Sequence, residues 1–209
     1  QYTTQADSVA RRSTQTAMYL ISEALVRWLA PILSFTAEEI WKNLPGERGD
    51  SVFLETWYAL PGMFSATLPD SDRFDMDYWQ QILSVREAVS KELEKLRVAR
   101  EIGSSLDAEV DLYCDGGLLE KLSYLQDELR FVLITSYARL HPLQERPDDA
   151  VEVEYEGCVL AIRIQPSGHA KCVRCWHHRE DVGASEQHPE LCGRCIENVE
   201  GGGELRRFA

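Results

Sequence analysis

The chain has 209 residues, 44% hydrophobic and 27% charged, enough for one or two domains with a sizeable core. No apolar run is long enough to span a membrane, and none follows Arg11 and Arg12 in the manner of a secretory leader. The net charge of −13 speaks against nucleic acid on bulk electrostatics, but residues 171–209 carry six Lys/Arg against seven Asp/Glu, so the excess acid lies upstream.

The chain opens on Gln1 in a pattern that already reads as helical, which points to a piece of a longer protein. Residues 1–30 read as one long helix with a stripe of Thr14, Met18, Ile21, Leu25 and Leu29, ended by Pro31. A second helix is expected after Thr36, with Glu39 completing a capping box, Phe35 and Ile40 a hydrophobic staple, and Leu44-Pro45-Gly46 the stop. Residues 46–74 look irregular.

A third helix is expected from about Asp75 to Arg100, with Trp79, Ile82, Val85, Val89, Leu93 and Leu96 on one side. From Leu106 to Cys114 apolar and polar residues alternate, which predicts a half-buried strand. Gly116-Gly117 leads into a helix through Leu118, Leu122 and Leu125. RFVLITSY reads as a strand, and VEVEYEG with CVLAIRIQ as an antiparallel pair around Gly157. The expected fold class is therefore α+β: a helical bundle over residues 1–72, a helix with a small mixed α/β subdomain over 73–167, and a cysteine module over 168–209. Gly201–Gly203 reads as a flexible hinge before a short tail.

Cys172, Cys175, Cys192 and Cys195 form two Cys-x-x-Cys pairs separated by sixteen residues. Each turn aims two sulfurs at one point, and two turns complete a tetrahedron of thiolates, the donor set of a closed structural zinc site. A pair of disulfides is disfavoured because nothing indicates secretion. An iron–sulfur cluster is a smaller rival. His177, His178 and His188 stand nearby, but four sulfurs suffice. Cys114 and Cys158 lie in strand patterns and read as small buried apolar residues. Zinc with four thiolates carries a charge of −2, which Lys171, Arg174 and Arg194 would offset; the same cations are candidates for RNA contact. Trp176, directly after a ligand, either covers the knuckle as a miniature core or projects to stack on an unpaired base.

Three segments carry a family resemblance. WLAPILSFTAEEIWKNLPG resembles the helix pair of the anticodon-binding domain of class I synthetases for isoleucine, valine and leucine. VREAVSKELEKLR with IGSSLDAEV, and then KCVRCW with CGRC, resemble the C-terminal part of bacterial isoleucyl-tRNA synthetases in the same order. The resemblance implies a cytoplasmic, monomeric enzyme that uses ATP to attach isoleucine to tRNA, with one structural zinc and the anticodon arm of isoleucine tRNA as partner. It also implies that the rest of the synthetase chain is a partner of this part. The ATP-handling signatures HIGH and KMSKS do not occur in these residues, so this part is expected to bind and not to catalyse. Its expected RNA contacts are Trp176, Arg174, Lys171 and Arg194, with Arg11 and Arg12 on the first helix. Two alternatives stay open: the DNA-gripping finger of a formamidopyrimidine-type glycosylase, and a zinc-stabilised interaction module without RNA.

Overall fold

The computed structural model describes residues 2–59, 74–155 and 158–208. Residues 6–69 form one compact unit; residues 1–5 with 70–209 form the other. The segments expected to divide at residue 167 thus cluster together. The expected turn at Gly157 and the side chain of Cys158 lie outside the description.

In the unit of residues 6–69, helix α1 (Val9–Leu29) starts at Ser8, whose hydroxyl accepts the Arg11 amide at 3.3 Å. Helix α2 (Ser34–Asn43) begins two residues before the expected cap. Thr36 lies inside it, and Phe35 is 94% exposed, so neither capping box nor staple forms. The cause is the tight link: the Ile32 and Leu33 amides both donate to the Leu29 carbonyl, and Ala37 donates to Leu33, so the chain re-enters a helix at once. The carboxylate that serves as an anchor is Glu38, which accepts from the Ser51 hydroxyl and the Val52 amide.

The core of this unit is Val26, Ala30, Ala37, Trp41 and Val52. The stripe read from the sequence does not line it. Met18, Ile21 and Leu25 are exposed, while Glu23, Ala24 and Val26 are the buried residues of α1. Glu23 is buried because Arg27 donates to it at 2.6 Å and Arg48 donates to its other oxygen, and both guanidiniums stand 4.7 Å over the Trp41 ring.

In the second unit, α3 (Met76–Val98) is capped by Asp75, which accepts the Tyr78 amide at 2.7 Å. Its Ile82, Val85, Val89 and Leu93 are buried as the periodicity predicts. A four-stranded sheet follows, in the order β2-β1-β4-β3, from β1 (Ala108–Cys114), β2 (Tyr137–Pro142), β3 (Val151–Tyr155) and β4 (Cys158–Pro166). β1 runs parallel to β2 and antiparallel to β4, and β3 is antiparallel to β4. Ala108, Val110, Leu112 and Cys114 join the core with α3, α4 (Gly116–Ser123) and α5 (Leu129–Leu133). Cys114 is apolar filling, as expected, and burial pushes its thiol up to about 11.

Two expectations need correction here. β1 is buried on both faces, not one, because Arg139, His141 and Ser167 cover Glu109 and Asp111. RFVLITSY is not a strand from its start: Arg130–Leu133 lie in α5, and Ile134 ends that helix in a left-handed conformation at φ 58°. A short apolar run fits either a strand or a buried helical turn.

The tail is also anchored where the triple glycine promised looseness. Glu204 accepts from Arg194 at 3.0 Å. The Glu128 carboxylate accepts the amides of Arg207 and Phe208 at 2.7 and 2.8 Å. The Phe208 ring lies 5.0 Å from that of Phe74.

Candidate metal centre and nucleic-acid interface

The two cysteine turns are built differently. The first is a hairpin knuckle: Lys171 bridges to His178, the Cys172 amide donates to the His177 carbonyl at 2.9 Å, and the Trp176 amide donates to the Cys172 carbonyl at 2.9 Å. The second opens a helix, α6 (Gly193–Val199), with Cys192 as its N-cap. The Asp181 carboxylate, accepting the Gly193 amide at 2.9 Å, holds that start in place.

All four cysteines are buried, and their sulfurs lie within 4.8 Å of one another. Cys175 Sγ and Cys192 Sγ are 3.7 Å apart. Tetrahedral zinc with bonds of about 2.3 Å requires edges of about 3.8 Å, so the donor set fits the ion. Burial works against the Cys172 thiolate, but amides of Cys175, Cys192 and Arg174 turned toward the sulfur outweigh it and bring the thiol down to about 7.

The histidines do other work. His177 is buried beside the Phe131 ring, its Nδ1 3.2 Å from the Cys175 carbonyl oxygen. Burial, with Arg130 and Arg194 nearby, drives it down to about 3, so it is neutral. His178 ties the knuckle to the sheet: its amide donates to Ser136 at 2.6 Å, and its Nε2 lies 3.3 Å from Asp107. His188 pairs with Glu200 at 2.6 Å. Among the described residues the four cysteines alone form a candidate metal cluster.

The residues expected at RNA fall into four groups. Trp176 projects: it is 62% exposed and held at φ 66°, a left-handed conformation that an L-residue of its bulk rarely adopts. Arg174 and Arg194 turn inward. Arg174 donates to the Thr3 carbonyl at 2.6 Å and reaches Cys195 Sγ at 3.7 Å. Arg194, with a side chain 13% exposed, pairs with Glu204 and donates to the Thr3 hydroxyl at 2.6 Å. Lys171 is half exposed and pairs with Asp107 at 3.3 Å. Arg11 and Arg12 lie in the other unit, where Arg12 lines an open groove of about 590 Å³ with Gln15 and Tyr19.

Sequence reasoning did not find Thr3, Asp107, Glu128 or Glu204, which hold the knuckle, the second cysteine helix and the tail. Only Asp107 left a trace, as the carboxylate three residues after Ser104 in a capping box.

Residues 1–112, more than half of the chain, match the anticodon-binding domain of tRNA ligases, and the chain belongs to that family. Residues 171–198 match the zinc finger found in FPG and IleRS, and the four-cysteine centre is accordingly the site of one structural zinc. The whole chain is 63% identical over 210 residues to the isoleucine–tRNA ligase of Thioalkalivibrio sulfidiphilus, 62% over 210 residues to that of Nitrosococcus oceani and 57% over 209 residues to that of Pseudomonas aeruginosa. It spans 22% of the length of each of these relatives. No helix among the described residues is long and apolar enough to cross a membrane.

Proposed function

We propose that the chain is the tRNA-binding C-terminal part of an isoleucine–tRNA ligase, and that it recognises the anticodon arm of isoleucine tRNA. The parent enzyme acts in the cytoplasm as a monomer and uses ATP to attach isoleucine to tRNA. The chemistry resides in the rest of that chain, whose ATP signatures are not in these residues. One observation carries the RNA reading. Trp176 presents its ring to solvent from a strained turn pinned by two metal ligands, and strain of this kind persists where a site uses it. An anticodon loop offers unpaired bases, and a rigid exposed indole is the platform on which such a base stacks.

Cys172, Cys175, Cys192 and Cys195 hold the zinc, and zinc keeps the knuckle rigid with no open position for chemistry. Lys171 stands at the surface of the same hairpin as a phosphate contact. Arg174 and Arg194 serve the RNA from behind, by fixing the two cysteine turns. Arg11 and Arg12 supply further contacts from the helical unit.

The test is binding of the zinc-loaded chain to the anticodon stem-loop of isoleucine tRNA, against that of valine tRNA and a DNA duplex. Tighter, salt-dependent binding of the isoleucine stem-loop is expected. Equal binding of both stem-loops overturns the assignment, and preference for the duplex points to the glycosylase alternative.

A further inference from the structure

Two parts of the second unit, the zinc module and the sheet with its helices, are joined by short contacts at Ser136 and Asp107 on one side. On another side they are joined by the tail. After α6 the chain reverses over the helix end: the Gly201 and Gly203 amides return to the Glu197 carbonyl, and Gly203 takes φ 87°, which a side chain disfavours. Glu204 then binds back to the zinc module, accepting from Arg194 and from Asn198 of α6 at 3.0 and 3.1 Å.

The next residues cross to the α/β body. Arg206, with a side chain 3% exposed, lays its guanidinium 3.6 Å from the Phe131 ring centroid, between the carboxylates of Glu128 and Glu204. Arg194 approaches the same ring at 5.1 Å, so one phenyl group is shared between the tail and the zinc module. The Arg207 and Phe208 amides end on Glu128, and Phe208 seats against Phe74 in the main core cluster. The two amide bonds to the Glu128 carboxylate are charge-assisted and fix geometry, while Arg206 stands 3.6 and 3.8 Å from its two carboxylates as a buried counter-charge. A tail without a positional role would leave Arg206 in water.

We propose that residues 204–208 are a strap that sets the orientation of the zinc module on the α/β body, and that Glu128, Arg206 and Phe208 are positioning residues for the RNA contact made through Trp176. The proposal rests on the tRNA-binding reading above. None of the three residues is a zinc ligand or needs to touch RNA. Releasing the strap leaves the metal centre whole and lets its presentation of Trp176 drift.

The experiment uses the zinc-loaded 209-residue chain and the anticodon stem-loop of isoleucine tRNA. Arg206→Ala with Phe208→Ala is expected to weaken binding about three- to tenfold. Zinc stays at one per chain, and amide exchange at residue 207 rises. Phe208→Leu, which refills the seat, is expected to restore most of the affinity to an otherwise unchanged chain. If the double variant unfolds, Phe208→Ala alone is read the same way. Unchanged affinity with an unprotected tail overturns the strap, as does loss of zinc in step with affinity. Trp176→Ala separates the two ideas. If it weakens binding and the strap variants do not, only the strap fails; if neither the unmodified chain nor any variant binds the RNA, both fail.

Discussion

Arg139 on β2 donates to Glu109 on β1 at 2.6 Å, on the sheet face opposite the apolar core. The Ser167 hydroxyl donates to the other oxygen at 2.7 Å, and Glu109 is only 4% exposed. Burial alone would raise the carboxyl, but the bonds from Ser167 and Arg139 outweigh it and hold it below its ordinary value. A carboxyl depressed in the folded state contributes stability above its unfolded pKa and loses it as pH falls through the folded value. Glu109→Gln is therefore expected to cost about 1–3 kcal/mol at pH 7. The gap from the unmodified chain should close below about pH 4. Urea unfolding of both chains at the two pH values checks this; a gap independent of pH would mean that the ionised form contributes nothing.

Zinc is expected at one per chain. Chelation should unfold residues 171–199 first, because this stretch has almost no apolar core beyond the four cysteines with Val182 and Leu191. Elemental analysis and limited proteolysis with and without chelator measure it. The double variant Cys192→Ser, Cys195→Ser should bind no zinc; full retention would show that these sulfurs are not ligands.

Trp176→Gly separates strain from packing. Glycine accepts φ 66° freely, so stability should hold or rise by about 1 kcal/mol. Affinity for the stem-loop should fall by about fivefold or more, since stacking contributes about 1–3 kcal/mol per base. A variant that loses zinc or melts early would identify the indole as a cover for the knuckle.

In the helical unit, Glu23→Ala should be costly, at about 3 kcal/mol, because it strands Arg48 over Trp41 and leaves Arg27 only the more exposed Glu55 at 3.6 Å. Hydrogen exchange across α1 and α2 reads the loss locally. Exchange rates like those of the unmodified chain would mean that both guanidiniums find water.

What was legible in the sequence follows from how far each signal is local. The four cysteines at fixed spacing brought one metal site together as expected, because ligand geometry depends on short turns. Asp75 and the apolar repeat gave α3 nearly to the residue. In α1 the larger residues drew the stripe to the wrong face. There the buried side is made of Ala24 and Val26, with Glu23 neutralised by two arginines that periodicity does not register. The strand expected at RFVLITSY failed for a related reason: Ile134 turns left-handed at a position where nothing local asks for it. Arg174 and Arg194 looked like free cations because their acceptors, Thr3 and Glu204, are supplied by other segments. The tail looked loose because Glu128, which captures it, lies about eighty residues upstream.

The pairing of Arg174 with Thr3 spans 171 residues of chain and makes the second unit discontinuous, with the helical unit inserted after residue 5. On a ribosome adding about 5–20 residues per second, the partners of Thr3 emerge roughly 10–30 s after it does. Residues 6–69 can close their core during that interval, whereas residues 1–5 must wait for the zinc module. Assembly of this unit is then gated by zinc supply once Cys192 and Cys195 have emerged. In metal-starved cells residues 6–69 would be folded while Thr3 and Arg174 stayed unjoined.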